Sequence, residues 1–270
     1  MNLTLSNPNL LLTETQWHVT APWLAHQCAQ RRPIVLHLSG AHAYGFPSPD
    51  SDIDIKCVHL APTCELVDLM PVTQTAEQTE IVDGVELDYS SNELGDVLRG
   101  IVAGNGNYVE RFLGATAFGV DTEWYESLRT VVGGLVSQRM AKHYRGFAIS
   151  QLQRFREAPS AKRALYVYRT ALTGIVLLRT GRLAIDVREN LAFTDDDVSA
   201  LLARKQTGEQ AAMSPDEAVV WLPRLQAVIA GIENAVAQAS VPQAPAPAAI
   251  AAARRLYLDI RREYWLPALP

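Results

Sequence analysis

Residues 34–60 read IVLHLSGAHAYGFPSPDSDIDIKCVHL, and the rest of the chain is organised around them. The run 34–38 is apolar and opens on two β-branched residues, the pattern of a short strand. Residues 39–50 hold two Gly, two Pro and two Ser, which predicts a loop or a strand-to-helix corner. From 52 to 60 the sequence alternates, with Asp52 and Asp54 on one face and Ile53 and Ile55 on the other. Two carboxylates therefore stand side by side on one strand, just past a glycine turn. Such a pair repels and is costly to hold together unless a cation sits between them. Magnesium suits the position, because it takes oxygen ligands and is commonly held by one or two carboxylates with substrate phosphates.

Upstream, a helical pattern runs from Thr13 to about Arg32, with a break allowed at Pro22 and a stop at Pro33. Downstream, Asp83 and Gly84 predict a hairpin turn leading into a strand at 85–89. On that strand Glu86 and Asp88 share one face. After Ser91 the chain turns helical. Patterns of period 3.6 cover 91–102, 108–113, 123–135, 138–155, 161–180, 195–205, 215–238 and 248–265. Strands concentrate early and helices late. This predicts an α+β fold in which a small mixed sheet (residues 1–90) precedes a larger helical domain (residues 91–270) that closes over a ligand.

A carboxylate pair beside a glycine turn fits phosphoryl or nucleotidyl transfer. That chemistry needs phosphate charge neutralised and the two reacting oxygens held in line. Two metals about 4 Å apart do this, one activating the attacking hydroxyl and one escorting the leaving group. Such a site wants about three carboxylates from neighbouring strands. Asp52 and Asp54 are two, and Asp88 or Glu86 is placed to be the third. Gly40 lets backbone N–H groups approach phosphates with no Cβ in the way.

At this point the residues resemble a family. Gly40-Ala41-His42-Ala43-Tyr44-Gly45, followed by Pro49-Asp50-Ser51-Asp52-Ile53-Asp54, is similar to the signature of the DNA polymerase β-type nucleotidyltransferases. More narrowly, it resembles the RNA-repair-associated (RlaP-type or YcgL-type) family found beside RNA ligases. Glu86-Leu87-Asp88, Gly104-Asn105 with Glu110 to Leu113, and His143-Tyr144-Arg145-Gly146 with Lys162, Tyr166 and Arg169 resemble later blocks of the same family, so the likeness covers most of the chain.

The resemblance implies an enzyme of the EC 2.7.7 type that moves an NMP from an NTP such as ATP to a hydroxyl and releases pyrophosphate, with RNA-end repair as its setting. It implies Mg²⁺ or Mn²⁺, two ions, held by Asp52, Asp54 and Asp88, with Asp88 also orienting or deprotonating the acceptor. It places Ser39, Gly40, His42, Tyr44, Lys162 and Arg169 at the nucleotide, and implies a functional link to an RNA ligase. One departure matters. The family's usual Ser after the first Gly is Ala41 here, and Ser39 offers a replacement hydroxyl one position before the glycine. Two other readings stand beside this one: NMP transfer to a protein side chain or small molecule, and a non-catalytic relative that binds nucleotide.

Composition narrows the partners. The chain has 24 Lys/Arg and 29 Asp/Glu, a net charge of −5, so it is no polycation. The charge is uneven. Residues 129–182 hold 11 Lys/Arg and one acid, which leaves 13 basic and 28 acidic residues elsewhere. That segment predicts a site for a polyanion such as an RNA strand. No run of 18 apolar residues is present, and the first ten residues lack a basic leader pattern, which predicts a soluble, cytoplasmic protein without a membrane partner. Cys28, Cys57 and Cys64 cannot all pair and show no metal-ligand spacing, so they read as buried or half-buried thiols.

Overall fold

The apolar run after Pro33 forms an inner strand of a mixed five-stranded sheet. The protein is described here by a computed structural model covering residues 3–70, 75–208 and 212–265. Strands β1 (Arg32–Leu38), β2 (Ile53–Leu60), β3 (Thr75–Val82), β4 (Val85–Glu93) and β5 (Ala117–Val120) lie in the order β3-β4-β2-β1-β5. β2 and β4 run parallel, and the other neighbours are antiparallel. The turn between β3 and β4 is the predicted one, with Asp83 at φ 49° and Gly84 at φ 79°, the two left-handed positions that suit a tight hairpin.

Eleven α-helices are described: α1 (Glu14–Gln30), α2 (Gly40–Tyr44), α3 (Thr63–Leu66), α4 (Leu94–Ala103), α5 (Gly106–Leu113), α6 (Tyr125–Gly134), α7 (Met140–Glu157), α8 (Ala161–Thr180), α9 (Ser199–Gln206), α10 (Pro215–Ala237) and α11 (Pro247–Glu263). The fold is α+β. α1 starts at a capping box in which Thr13 and Gln16 each bond the other's backbone N–H, and it runs through Pro22 without ending. Its apolar side covers one face of the sheet, where Trp23 meets Tyr89 edge-on at 5.5 Å. Ile53, Ile55, Leu87 and Tyr89, the odd positions of β2 and β4, are buried.

α8 is buried along nearly its whole length from Ala164 to Leu178, so it lies inside the helical part with α7 and α10 against it. Ser160 caps its start and Gly181, at φ 72°, ends it. Two findings bear on the division at residue 90. The fifth strand comes from 117–120, after two helices, and one apolar core runs through sheet and helices alike. The chain's last described helix also returns to the sheet, because Arg261 of α11 ion-pairs with Glu93 at the end of β4 and donates to the Ala61 carbonyl. No helix among the described residues is long and apolar enough to cross a membrane.

Candidate active site

The even positions of β2 and β4 form a polar face of the sheet. Parallel register sets Asp54 against Asp88 and Lys56 against Ser90. β3 extends these rows with Thr79 beside Asp88 and Glu77 beside Ser90. Asp52 lies one position before β2 on the side of Asp54. Glu86, paired with Ile81, lies two positions before Asp88. The two candidates for the third carboxylate therefore differ in place: Asp88 stands in Asp54's row and Glu86 beyond it.

β1 delivers the glycine turn to the same point. Ser39 is extended, its N–H donates to the Asp54 carbonyl at 2.8 Å, and Gly40 takes φ 63° to begin α2. A Cβ on Gly40 would overlap the Asp54 carboxylate. Only glycine lets the turn and the strand approach this closely.

Burial, and then the neighbouring Asp52, pushes the Asp54 carboxyl up to about 6, while Lys56 opposes the rise and Asp88 adds to it. Crowded carboxylates of this kind are what a divalent cation would relieve, and their oxygens are the donors magnesium prefers. As the side chains stand, no group of three His, Cys, Asp or Glu among the described residues is gathered tightly enough to hold an ion, and Asp88 accepts a hydrogen bond from Thr79 Oγ1 at 3.2 Å. The donor set fits a metal in kind and in strand register.

Two clefts open beside these carboxylates. Asp54, Ser39, Gly40 and Tyr44 line one of about 420 Å³, which runs along the polar sheet face to α5, where Asn105, Tyr108 and Arg111 close it. Asp52 and His42 line the other, of about 810 Å³, together with Asp50, Asp83 and Glu86. His42 therefore stands apart from the Ser39–Gly40 turn. It is buried, and burial lowers its pKa against the main chain of Ser51 and Leu11. Lys162 lines a third pocket of about 400 Å³, with Arg154 and Arg163, which adjoins the first through Phe147 and Tyr166.

Arg169 does not reach any of these surfaces. It is fully buried, ion-paired with Glu110, and stacked 3.7 Å over the ring of Tyr44. Tyr144 donates to the same Glu110 at 3.2 Å, and the Tyr44 and Ser39 hydroxyls are 2.8 Å apart. Arg169 thus lies beneath the glycine turn, against Tyr44 and Glu110, and does not line the clefts where the phosphates were expected. The reason is electrostatic: a guanidinium buried this deeply stays charged beside a carboxylate.

The basic stretch 129–182 also looks different in three dimensions. Arg129 pairs with Glu126, Arg145 with Glu233, Arg169 with Glu110 and Arg182 with Glu189. Every one of those acids lies outside the stretch, so counting charges along the chain overstates the patch. Arg154, Lys162 and Arg163 do gather at one pocket.

Two buried cations beside the clefts, Lys205 and Arg111, were not among the candidate site residues. Lys205 of α9 donates to the hydroxyls of Ser48 (2.5 Å) and Ser51 (3.3 Å), pinning the loop that presents Asp52. Burial lowers its pKa to about 8. Arg111 lines the α5 end of the first cleft. Lys205 carries no local sequence signal, and the block from Glu110 to Leu113 gives no sign that Arg111 is buried, since each is defined by partners far along the chain.

A profile of the family described as "RNA repair pathway DNA polymerase beta family" (RlaP) matches residues 24–259. The chain belongs to this family. Among similar proteins is an uncharacterized protein of Methanocaldococcus jannaschii, 28% identical over 159 residues, which are 57% of this chain and 63% of that protein. The chain thus spans less than two thirds of that relative's length. Among solved structures, a nucleotidyltransferase-like protein from Exiguobacterium sibiricum 255-15 aligns with 93% of this chain and 81% of its own at 11% identity and a TM-score of 0.34.

Proposed function

We propose that this polymerase-β-type nucleotidyltransferase moves a nucleoside monophosphate from an NTP to a hydroxyl, with a divalent metal held by Asp52 and Asp54 and completed by Asp88. The observation that carries the reading is the meeting of Gly40 with the in-register pair Asp54 and Asp88. In the proposed reaction the acceptor oxygen bonds to the α-phosphorus, the bond from that phosphorus to the bridging oxygen breaks, and pyrophosphate leaves. The acceptor's proton passes to Asp88, the carboxylate that stands next in register to Asp54. The metal, when bound, neutralises phosphate charge and lowers the acceptor's pKa. Gly40 and the backbone of its turn approach the phosphates, Ser39 contributes a hydroxyl in place of the one lost at Ala41, and Lys162 adds positive charge from the adjoining pocket.

The acceptor is proposed to be an RNA 3′ end, on the strength of the family's description and of the Arg154–Lys162–Arg163 cluster. The test is label transfer from each α-labelled NTP with Mg²⁺ or Mn²⁺, with and without 3′-OH RNA, beside the Asp52→Asn/Asp54→Asn double variant. Carboxylate-dependent label on RNA is the expected result. Label on protein with RNA ignored moves the acceptor to a side chain, and label that persists in the double variant overturns the site.

A further inference from the structure

Arg111 is an arginine placed where an arginine is expensive. It is 6% exposed and lines the cleft that holds Asp54. Among the described residues its guanidinium makes one hydrogen bond, from Nη1 to the Cys57 carbonyl at 2.8 Å, and no ion pair. Its Nε is buried without a partner. Its ring neighbour is Tyr108, 5.0 Å away.

Of the acids that line the cleft, Asp54, Glu77 and Glu110, none is within ion-pair distance of Arg111. Glu110, next to it in sequence, is bound by Arg169 and Tyr144. Asp54 belongs to the carboxylate cluster. Glu77 stands on edge strand β3, with β4 between it and Lys56 of β2. Burial lowers the Arg111 pKa from its usual value, yet an arginine stays charged in proteins. A buried charge without a counterion is strongly unfavourable, and the cost is offset when a ligand brings the missing anion.

The surroundings describe that ligand further. Lys56 lines the same cleft one row past Asp54, so a second positive charge faces the space. Asn105 Oδ1 is a buried acceptor with no donor on it, and Asn105 lines the cleft too. The cleft thus offers a planar cation fork, an ammonium and an unused carbonyl oxygen. A phosphate accompanied by hydroxyl or amino donors, as on a nucleotide, satisfies all three.

We infer that Arg111, with Lys56, seats a phosphate group of the bound ligand in the cleft that Asp54 lines. This rests on the reading of that cleft as the nucleotidyl-transfer site, and it names which residue anchors the anion there. The phosphate belongs either to the NTP or to the strand that accepts the nucleotide.

The experiment compares wild type, Arg111→Met and Arg111→Lys by thermal melting and calorimetric titration with tripolyphosphate, ATP and a short 3′-OH RNA, each with Mn²⁺. Arg111→Met is expected to melt near wild type and to lose at least tenfold in affinity for a phosphate probe that wild type binds. Arg111→Lys, which keeps the charge but not the fork, falls between them. Loss confined to tripolyphosphate and ATP assigns the phosphate to the NTP, and loss confined to RNA assigns it to the acceptor. A role limited to bracing the Cys57 carbonyl predicts a lower melting point for Arg111→Met with unchanged affinity in the folded protein. That result overturns the inference, as does a wild type that binds none of the probes. If Arg111→Met does not fold, unchanged affinity in Arg111→Lys overturns it equally. Arg111-dependent phosphate binding without label transfer from any NTP would support this site while removing the proposed reaction, so the two failures are separable.

Discussion

The space a side chain on Gly40 would need is filled by the carboxylate of Asp54, and Gly40 also sits at φ 63°. Conformation and packing therefore exclude other residues independently. For Gly40→Ala, the left-handed backbone alone costs roughly 1–2 kcal/mol, and displacement of Asp54 comes on top. The expected outcome is a lower thermal midpoint together with loss of Mn²⁺-dependent stabilisation and of nucleotide transfer. A Gly40→Ala protein that melts as wild type and still gains stability from Mn²⁺ would show that the turn and Asp54 are not coupled.

The raised pKa of Asp54 gives a second prediction with a definite sign. Burial and Asp52 lift it from 3.8 in the unfolded chain to about 6 in the metal-free fold. The fold then binds this proton more tightly than the unfolded chain does, so the group's contribution to stability declines as pH rises from about 4 through about 6. Asp54→Asn cannot ionise. It should gain on wild type across that window and be the more stable metal-free protein at pH 7. Metal must displace the same proton, so apparent Mn²⁺ affinity of wild type should fall as pH drops below about 6. Melting curves of both proteins from pH 4.5 to 8 check the first part and calorimetry the second. A pH-independent gap would remove Asp54 as the titrating group.

These outcomes depend on residues whose placement was legible to different degrees. Asp52 and Asp54 were readable because strand alternation and the glycine turn are local patterns. The hairpin at Asp83 and Gly84 was readable for the same reason. β3 was not, since Thr75–Val82 lies along an edge, largely exposed, with no apolar alternation to mark its full extent. β5 was missed because Ala117–Val120 is four residues long and joins the sheet only through pairing with distant β1. Arg169 was expected at the nucleotide phosphates on the family resemblance alone. Its carboxylate partner is 59 positions away, and no local period points to it. The tie between the Ser39 and Tyr44 hydroxyls emerged only from the packing of α2 over Arg169.

The Glu110–Arg169 pair should behave as a structural brace and not as a phosphate contact. Removing one partner leaves a buried charge uncompensated, which costs about 3–5 kcal/mol. Arg169→Met and Glu110→Leu should each destabilise by that order in urea titrations, and the double variant by clearly less than their sum. If Arg169 instead bound phosphate, Arg169→Met would fold normally and lose NTP affinity. That outcome would overturn the brace and restore the role expected from the sequence.

Asp88 and Glu86 share a face of β4, and register separates them. Asp88 stands opposite Asp54, while Glu86 pairs with Ile81 and lines the cleft on the Asp52 side. If Asp88 takes the acceptor proton, Asp88→Asn should lower the transfer rate by roughly 10²–10⁴-fold, the usual worth of a positioned general base. Its Thr79 hydrogen bond survives in the amide, so stability should hardly move. Glu86→Gln should keep the rate within a few-fold of wild type. Single-turnover rates on saturating NTP make the comparison, because they isolate chemistry from release. A reversal of the two effects would move the third carboxylate one step along β4, into the row of Asp52, and would place the acceptor in the larger cleft that Asp52 and Glu86 share.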